Sequence, residues 1–242
     1  MNKLNVKIIA HTLNPEQTIA CAGKLCYSKV GISQIAEKQS EEDIDRFVNM
    51  LSSMGHESPL EHATFTFAIE GISRACANQL VRHRIASYSQ QSQRYVELDE
   101  TFDYIIPKSI DMNLDAREIY VKTMDDLHNA YKEITKLLKD YEVATGIPER
   151  EATKKAIEDA RYVLPNACET KIVVTMNGRS LLNFLKHREC RRAQLEIREL
   201  ASEMRKQLIE IAPSLFSRSG AECRRGKCPE GHMSCGQPYP KM

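Results

Sequence analysis

Residues 82–94 read R-H-R-I-A-S-Y-S-Q-Q-S-Q-R, a dense set of donors with no Asp or Glu among them. Arg82, His83 and Arg84 stand together, Arg94 follows ten residues after Arg84, and three serines and three glutamines lie between. An arginine fork grips two phosphate oxygens at once, and serine hydroxyls or loop N–H groups complete such a cradle. The segment therefore predicts an anion site, with a nucleotide phosphate as its natural guest. The plainer reading is a solvated basic turn paired with acids elsewhere; the lack of any acid in the segment weighs against it.

A second cluster lies near the C-terminal end, where Cys223, Cys228 and Cys235 follow one another with His232 before the last. Thiolates and an imidazole at this spacing could bind zinc, with Cys190 or Cys168 as a fourth ligand. The spacing lacks a C-x2-C pair, so no metal is assigned and a reduced tail is expected. The chain carries 34 basic and 33 acidic residues for a net charge of +1. Proteins that neutralise many nucleic-acid phosphates show a basic excess, which this one does not. Any phosphate chemistry must then be local.

These side chains need a scaffold, and 242 residues with 42% hydrophobic content can build one. No apolar run approaches the roughly 18–20 residues that span a bilayer. The opening M-N-K-L-N-V-K-I-I-A-H has too short an apolar stretch for a secretory signal, so a cytoplasmic location with eight reduced cysteines is expected. Period-two alternation predicts strands over 4–10 and 63–70, the second ended by Gly71. The β-branched run 170–176 predicts a third. Ser40 caps a helix over 40–54, with Ile44, Phe47, Val48, Leu51 and Met54 on one face. Ser73 starts a short helix reaching about Arg82, so that R-H-R lies at its end, and the polar run after it reads as an ordered loop. Helical spacing continues over 115–144, from Pro148 to Leu164, and from Arg179 to Ala212 with a break near 187–192. The sum is α+β: a single mixed domain over 1–220, an antiparallel-type sheet packed by long helices, followed by a Cys-rich tail at 221–242.

R-H-R followed by seven residues and Ser92 resembles the signature of the flavin-dependent thymidylate synthases. Four other stretches are similar to blocks of that family, in its order: G-H-E-S-P-L-E-H at 55–62, A-R-Y-V-L-P at 160–165, N-G-R-S-L-L-N-F-L-K-H-R at 177–188 and R-A-Q-L-E-I-R at 192–198. The resemblance implies a methyltransferase that converts deoxyuridylate (dUMP) to thymidylate (dTMP). It implies FAD as the flavin, NADPH as its reductant, methylenetetrahydrofolate as the one-carbon donor, and a homotetramer with shared active sites. FAD contacts carried over by the motifs are Ser58, Arg82, His83, Arg84, Gln90, Asn177, Arg179 and Asn183. The nucleotide contacts are Gln79, Arg82, Gln90, Gln91, Ser92, Gln93, Arg94, Arg161 and Arg188.

In this reading Ser92 and Arg94 hold the phosphate, and Arg188 is the catalytic residue, a fixed cation that favours the ionised uracil ring. Taken without the family pattern, Asn183 simply faces solvent, Arg179 is exposed in a first helical turn, His83 is a structural or exposed histidine, Arg161 pairs with Glu158 or another acid, and Arg188 is a surface arginine. The sequence departs from the family pattern at Gln91, at Leu195 and at Arg192, which stands where some members have histidine. His187 receives no role, and His56 and Glu57 are weak candidates for a folate entrance. Two rival functions remain: a nucleic-acid-binding module using the basic cluster with Arg224, Arg225 and Lys227, and a phosphate-binding regulatory protein without turnover.

Overall fold

The structure, a computed structural model, describes residues 3–95 and 102–241. Its strands are β1 (Asn5–His11), β2 (Thr64–Ser73), β3 (Ala86–Gln90) and β4 (Glu169–Asn177). They form one antiparallel sheet in the order β1-β2-β4-β3. The helices are α1 (Pro15–Leu25), α2 (Ile32–Glu37), α3 (Glu41–Met54), α4 (Arg74–Leu80), α5 (Lys108–Asp111), α6 (Leu114–Ala144), α7 (Glu149–Ala160), α8 (Gly178–Arg188), α9 (Leu195–Ile211) and α10 (Pro213–Phe216). Mixed α+β architecture is what the periodicities predict. No described helix is long and apolar enough to cross a membrane.

The described residues gather into two compact units. One is drawn from 3–5, 70–78, 89–95 and 102–172, the other from 6–69, 79–88 and 173–241. In the first, α6 and α7 pack along each other, and Phe102, Met124 and Cys168 form a small core with Tyr104, Tyr120 and Leu164 against it. Gly146, at φ 92, makes the turn between the two helices. In the second unit Phe65, Phe67, Leu181, Phe184, Leu200 and Met204 are fully buried. Its edge strand β1 is covered from α9: Gln207 accepts from Ile8 N at 2.9 Å and donates to Val6 O at 2.8 Å. This satisfies backbone groups that an open edge would leave to water or to another chain.

Several expected boundaries hold for the expected reasons. Ser40 Oγ accepts from Asp43 N at 3.2 Å, and Gly55 ends α3 in the left-handed region. Helix breaks fall at 189–194 and beyond Ala144. Three expectations need correction. Strand β2 does not stop at Gly71 but runs through it to Ser73. Gly71 sits at φ 71, and a Cβ there would lie 2.5 Å from Lys3 O, so glycine allows close backbone approach rather than ending the strand.

Helix α4 stops at Leu80, two residues short of Arg82, where a turn takes the Leu80 carbonyl. His83 N donates to Leu80 O at 3.1 Å. The Tyr88 hydroxyl shares its proton between Leu80 O at 2.9 Å and His83 O at 2.8 Å. The polar run expected as loop is strand β3 over Ala86–Gln90. An edge strand pairs through its backbone, and its side chains alternate between half-buried and exposed, so polar residues are no obstacle there.

Candidate active site

The expected residues divide between the two units. In the second, the R-H-R turn follows α4, with Arg82 and Arg84 exposed and His83 half-buried. Arg188, at the end of α8, donates from Nε to His83 Nε2 at 2.8 Å and from NH1 to Gln79 Oε1 at 3.4 Å. Gln79 Nε2 in turn donates to Gln194 Oε1 at 2.6 Å. Because Nε2 accepts, the imidazole is neutral and carries its proton on Nδ1. Burial, then the charges of Arg188 and His187, push His83 down to about 4. Its ring also stands edge-on to Phe184, 5.0 Å between centroids. Arg188 is therefore held by two neutral acceptors, and among the described residues it has no ion pair.

Arg179 is the opposite case. Its Nε lies 2.9 Å from Glu57 and its NH1 2.6 Å from Glu61, both from the G-H-E-S-P-L-E-H loop. The two carboxylates raise its already high pKa. Neither reading made from sequence placed it in this pairing. Asn177 caps α8 by accepting from Ser180 N at 2.8 Å. Arg179 and Asn183, four residues apart, share a helix face.

With Arg84 and Lys186 these residues line a cavity of about 760 Å3, within the range of small-molecule sites. Its guanidinium and amide donors are of the kind that the anionic groups of a flavin dinucleotide take, and the carboxylates of Glu57, Glu61 and Glu222 share the lining, so its charge is mixed. Ser58 lies in an adjoining cavity of about 430 Å3 with His56, Glu57 and Arg179. A third cavity, about 410 Å3, holds His83 and Arg188 with Lys186 and Arg192.

In the first unit, Gln90 Nε2 donates to Thr170 Oγ1 at 3.1 Å, and Gln91 N extends the β3–β4 pairing to Lys171 O at 2.9 Å. Gln91 thus pairs through its backbone. Ser92 Oγ accepts from Arg94 N at 3.2 Å. Glu158 gathers two expected cations: its carboxylate lies 3.5 Å from Arg94 NH1, and its carbonyl accepts from Arg161 Nε at 3.1 Å. Arg161 thus meets Glu158 through the backbone carbonyl and not, among the described residues, in the salt bridge to Glu158 or another acid that was its alternative reading, while the acid that pairs with Arg94 comes from α7.

Ser92, Gln93 and Gln91 line a pocket of about 120 Å3 with Arg74 and Lys171, roughly the volume of four liquid waters. Arg74 was not expected from the sequence; the S-R-A-C start of α4 held no signal beyond its charge. Burial and the nearby Arg161 lower its pKa. Asp103 and Glu169 share the pocket, so its charge is mixed.

Among the described residues no three His, Cys, Asp or Glu side chains converge as metal ligands would. Cys168 is buried, and burial pushes its thiol up to about 12, which makes it a poor thiolate donor.

The family model described as thymidylate synthase complementing protein matches residues 7–214. The chain is 56% identical over 234 residues to a flavin-dependent thymidylate synthase of Clostridium tetani, covering 97% of this chain and 94% of the relative. It is 46% identical to the protein of that name from Geobacter sulfurreducens, over 97% and 94% of the two chains. To the one from Pyrococcus furiosus it is 40% identical, over 94% and 90%. With the family model matching most of its length, and with the R-H-R turn joined to Arg188 as described, this chain belongs to the thymidylate synthase complementing protein family.

Proposed function

We propose that this protein is a flavin-dependent thymidylate synthase, a methyltransferase that converts deoxyuridylate to thymidylate. Methylenetetrahydrofolate supplies the carbon and NADPH the reducing equivalents. Bound FAD supplies hydride chemistry, and Arg84, Asn177 and Asn183 hold it in the 760 Å3 cavity. Ser58, Arg82, His83, Arg179 and Gln90 complete the proposed flavin contacts.

The observation that carries the reading is the state of Arg188. A guanidinium fixed by a neutral imidazole and a neutral amide keeps its whole charge for a ligand. Placed beside N3 and the neighbouring carbonyl of uracil, it favours the ionised base and so raises electron density at C5, where the new bond forms. Gln79, Arg82, Gln90, Gln91, Gln93 and Arg161 complete the nucleotide contacts. Ser92 and Arg94 hold the phosphate, and Ser92 acts as a donor rather than a nucleophile, since its Oγ has no base bonded to it among the described residues.

The reading extends to a homotetramer with shared sites, supported by Ile119, Leu137 and Tyr141 standing 69%, 61% and 68% exposed along α6. It extends also to a cytoplasmic location, in keeping with eight free thiols, and to 221–242 as a distinct tail after a 1–220 catalytic domain. The nucleic-acid reading is not favoured: Arg224, one of its required cations, lies against Glu189 and under Tyr239.

Anaerobic turnover with deoxyuridylate and methylenetetrahydrofolate tests the proposal. Arg188→Ala should keep its flavin spectrum and lose product formation by about 100-fold or more. A colourless parent that cannot be reconstituted with FAD, or equal activity in the variant, would overturn it.

A further inference from the structure

Residues 221–239 lie beyond the segment matched by the family model, yet they build one wall of the cavity that holds His83 and Arg188. Two anchors fix this tail. At the first, Arg224 reaches the buried Glu189 carboxylate at 4.0 Å, and Gly220, at φ 104, presses so closely that a Cβ there would lie 2.1 Å from Glu189 Oε2. At the second, the Tyr239 hydroxyl donates to Glu189 O at 3.0 Å, with Arg224 and Arg191 over its ring at 4.0 and 4.6 Å. Glu189 is 2% exposed, so both anchors meet at a buried point directly after Arg188.

Between the anchors the loop 225–238 contains Gly226, Gly231 and Gly236, the last two at positive φ. Cys228, Pro229 and Glu230 from this loop face the cavity. Its ionic tie to the opposite wall is Arg192 with Glu230, a pair 38% and 43% exposed. Pairs at that exposure are weak. Arg191 NH1 also donates to Gln237 Oε1 at 3.2 Å, close to the Tyr239 anchor. A loop with glycine joints and a weak tie at its centre opens locally at little cost.

We infer that Glu230 is a positioning residue for the reaction: paired with Arg192, it holds the 225–238 loop as the removable wall of the Arg188 cavity. The inference rests on the reading of Arg188 as the uracil contact. With the wall in place the nucleotide is retained; with the tie broken it leaves faster, while Arg188 keeps its bonds to His83 and Gln79.

Cys190, half-buried on the fixed wall of the same cavity, reports on the loop independently of catalysis. In the holoenzyme, Glu230→Gln should raise the mass-resolved alkylation rate of Cys190 by about three- to tenfold. It should also raise KM for deoxyuridylate by a similar factor, more than it lowers kcat. The single changes Arg192→Glu and Glu230→Arg should each act like Glu230→Gln, and the two together should restore the parent values. An unchanged alkylation rate, a fall in kcat with KM unmoved, or failure of the exchanged pair to restore both would overturn the proposal. If the parent itself made no thymidylate, the functional reading would fall, and the alkylation series would still decide whether the loop opens.

Discussion

At the scale of single residues, the site is organised by which cations are neutralised and which are not. Arg179 is held by two carboxylates and Arg94 by one, whereas Arg188 rests on neutral groups. This depends on His83 staying uncharged, since an imidazolium could not accept from Arg188 and would repel it. We expect an NMR titration of His83 to give a pKa of about 4. In Arg188→Ala the value should rise yet remain below 6.5, because burial is the larger cause. A value near 6.5 in the parent would contradict the neutral-acceptor arrangement. The folded-state pKa lies below the unfolded one, so the unfolded chain binds the extra proton. The contribution of His83 to stability is therefore lost as pH falls from about 6.5 towards 4.

The motif around 82–94 was legible in the sequence because its residues are contiguous. Their partners were not: Glu158 lies 64 residues from Arg94 and Arg188 lies 105 from His83, and outside the motif Glu57 and Glu61 lie 122 and 118 residues from Arg179. No local pattern records such pairings. Arg74 escaped for the same reason.

At the scale of elements, local chemistry explains both the successes and the failures. The Ser40 cap and the periodic apolar faces gave α3 and α6 nearly to the residue, since they act on backbone groups close in sequence; Asn113, which caps α6 by accepting from Ala116 N at 3.1 Å, was not read from the sequence. Strand β3 has no apolar alternation to reveal it and exists because β4 offers a free ladder. Gly71 illustrates a glycine misread as punctuation. Gly71→Ala should destabilise the protein by about 2 kcal/mol or more, through a positive φ and contact with the Lys3 carbonyl. Chemical denaturation would measure it, and a change below about 0.5 kcal/mol would mean that the strand adjusts freely.

At the scale of the whole molecule, mixed α+β character followed from composition and periodicity, but the grouping of contacts into two units did not. That grouping runs through the strands themselves: β2 and β4 each contribute residues to both. The tail, legible only as a cysteine-rich stretch, is tied to the fold through Glu189. Burial raises the pKa of that carboxyl against the pull of Arg205 and Arg224. Glu189→Ala would leave two guanidinium groups facing a void and should cost about 3 kcal/mol or more in unfolding experiments. A near-neutral effect would show that water replaces the carboxylate.

Helix α8 has a consequence for how such a protein can vary. Asn183 faces the larger cavity and Arg188 leaves the helix five residues later, about 140° further round and 7.5 Å along the axis. The helix thus acts as a phase-keeping shaft. Inserting or deleting one residue between them would rotate one end by about 100° against the other. Substitutions can accumulate along its outer face, but its length between Asn177 and Arg188 is not free to drift.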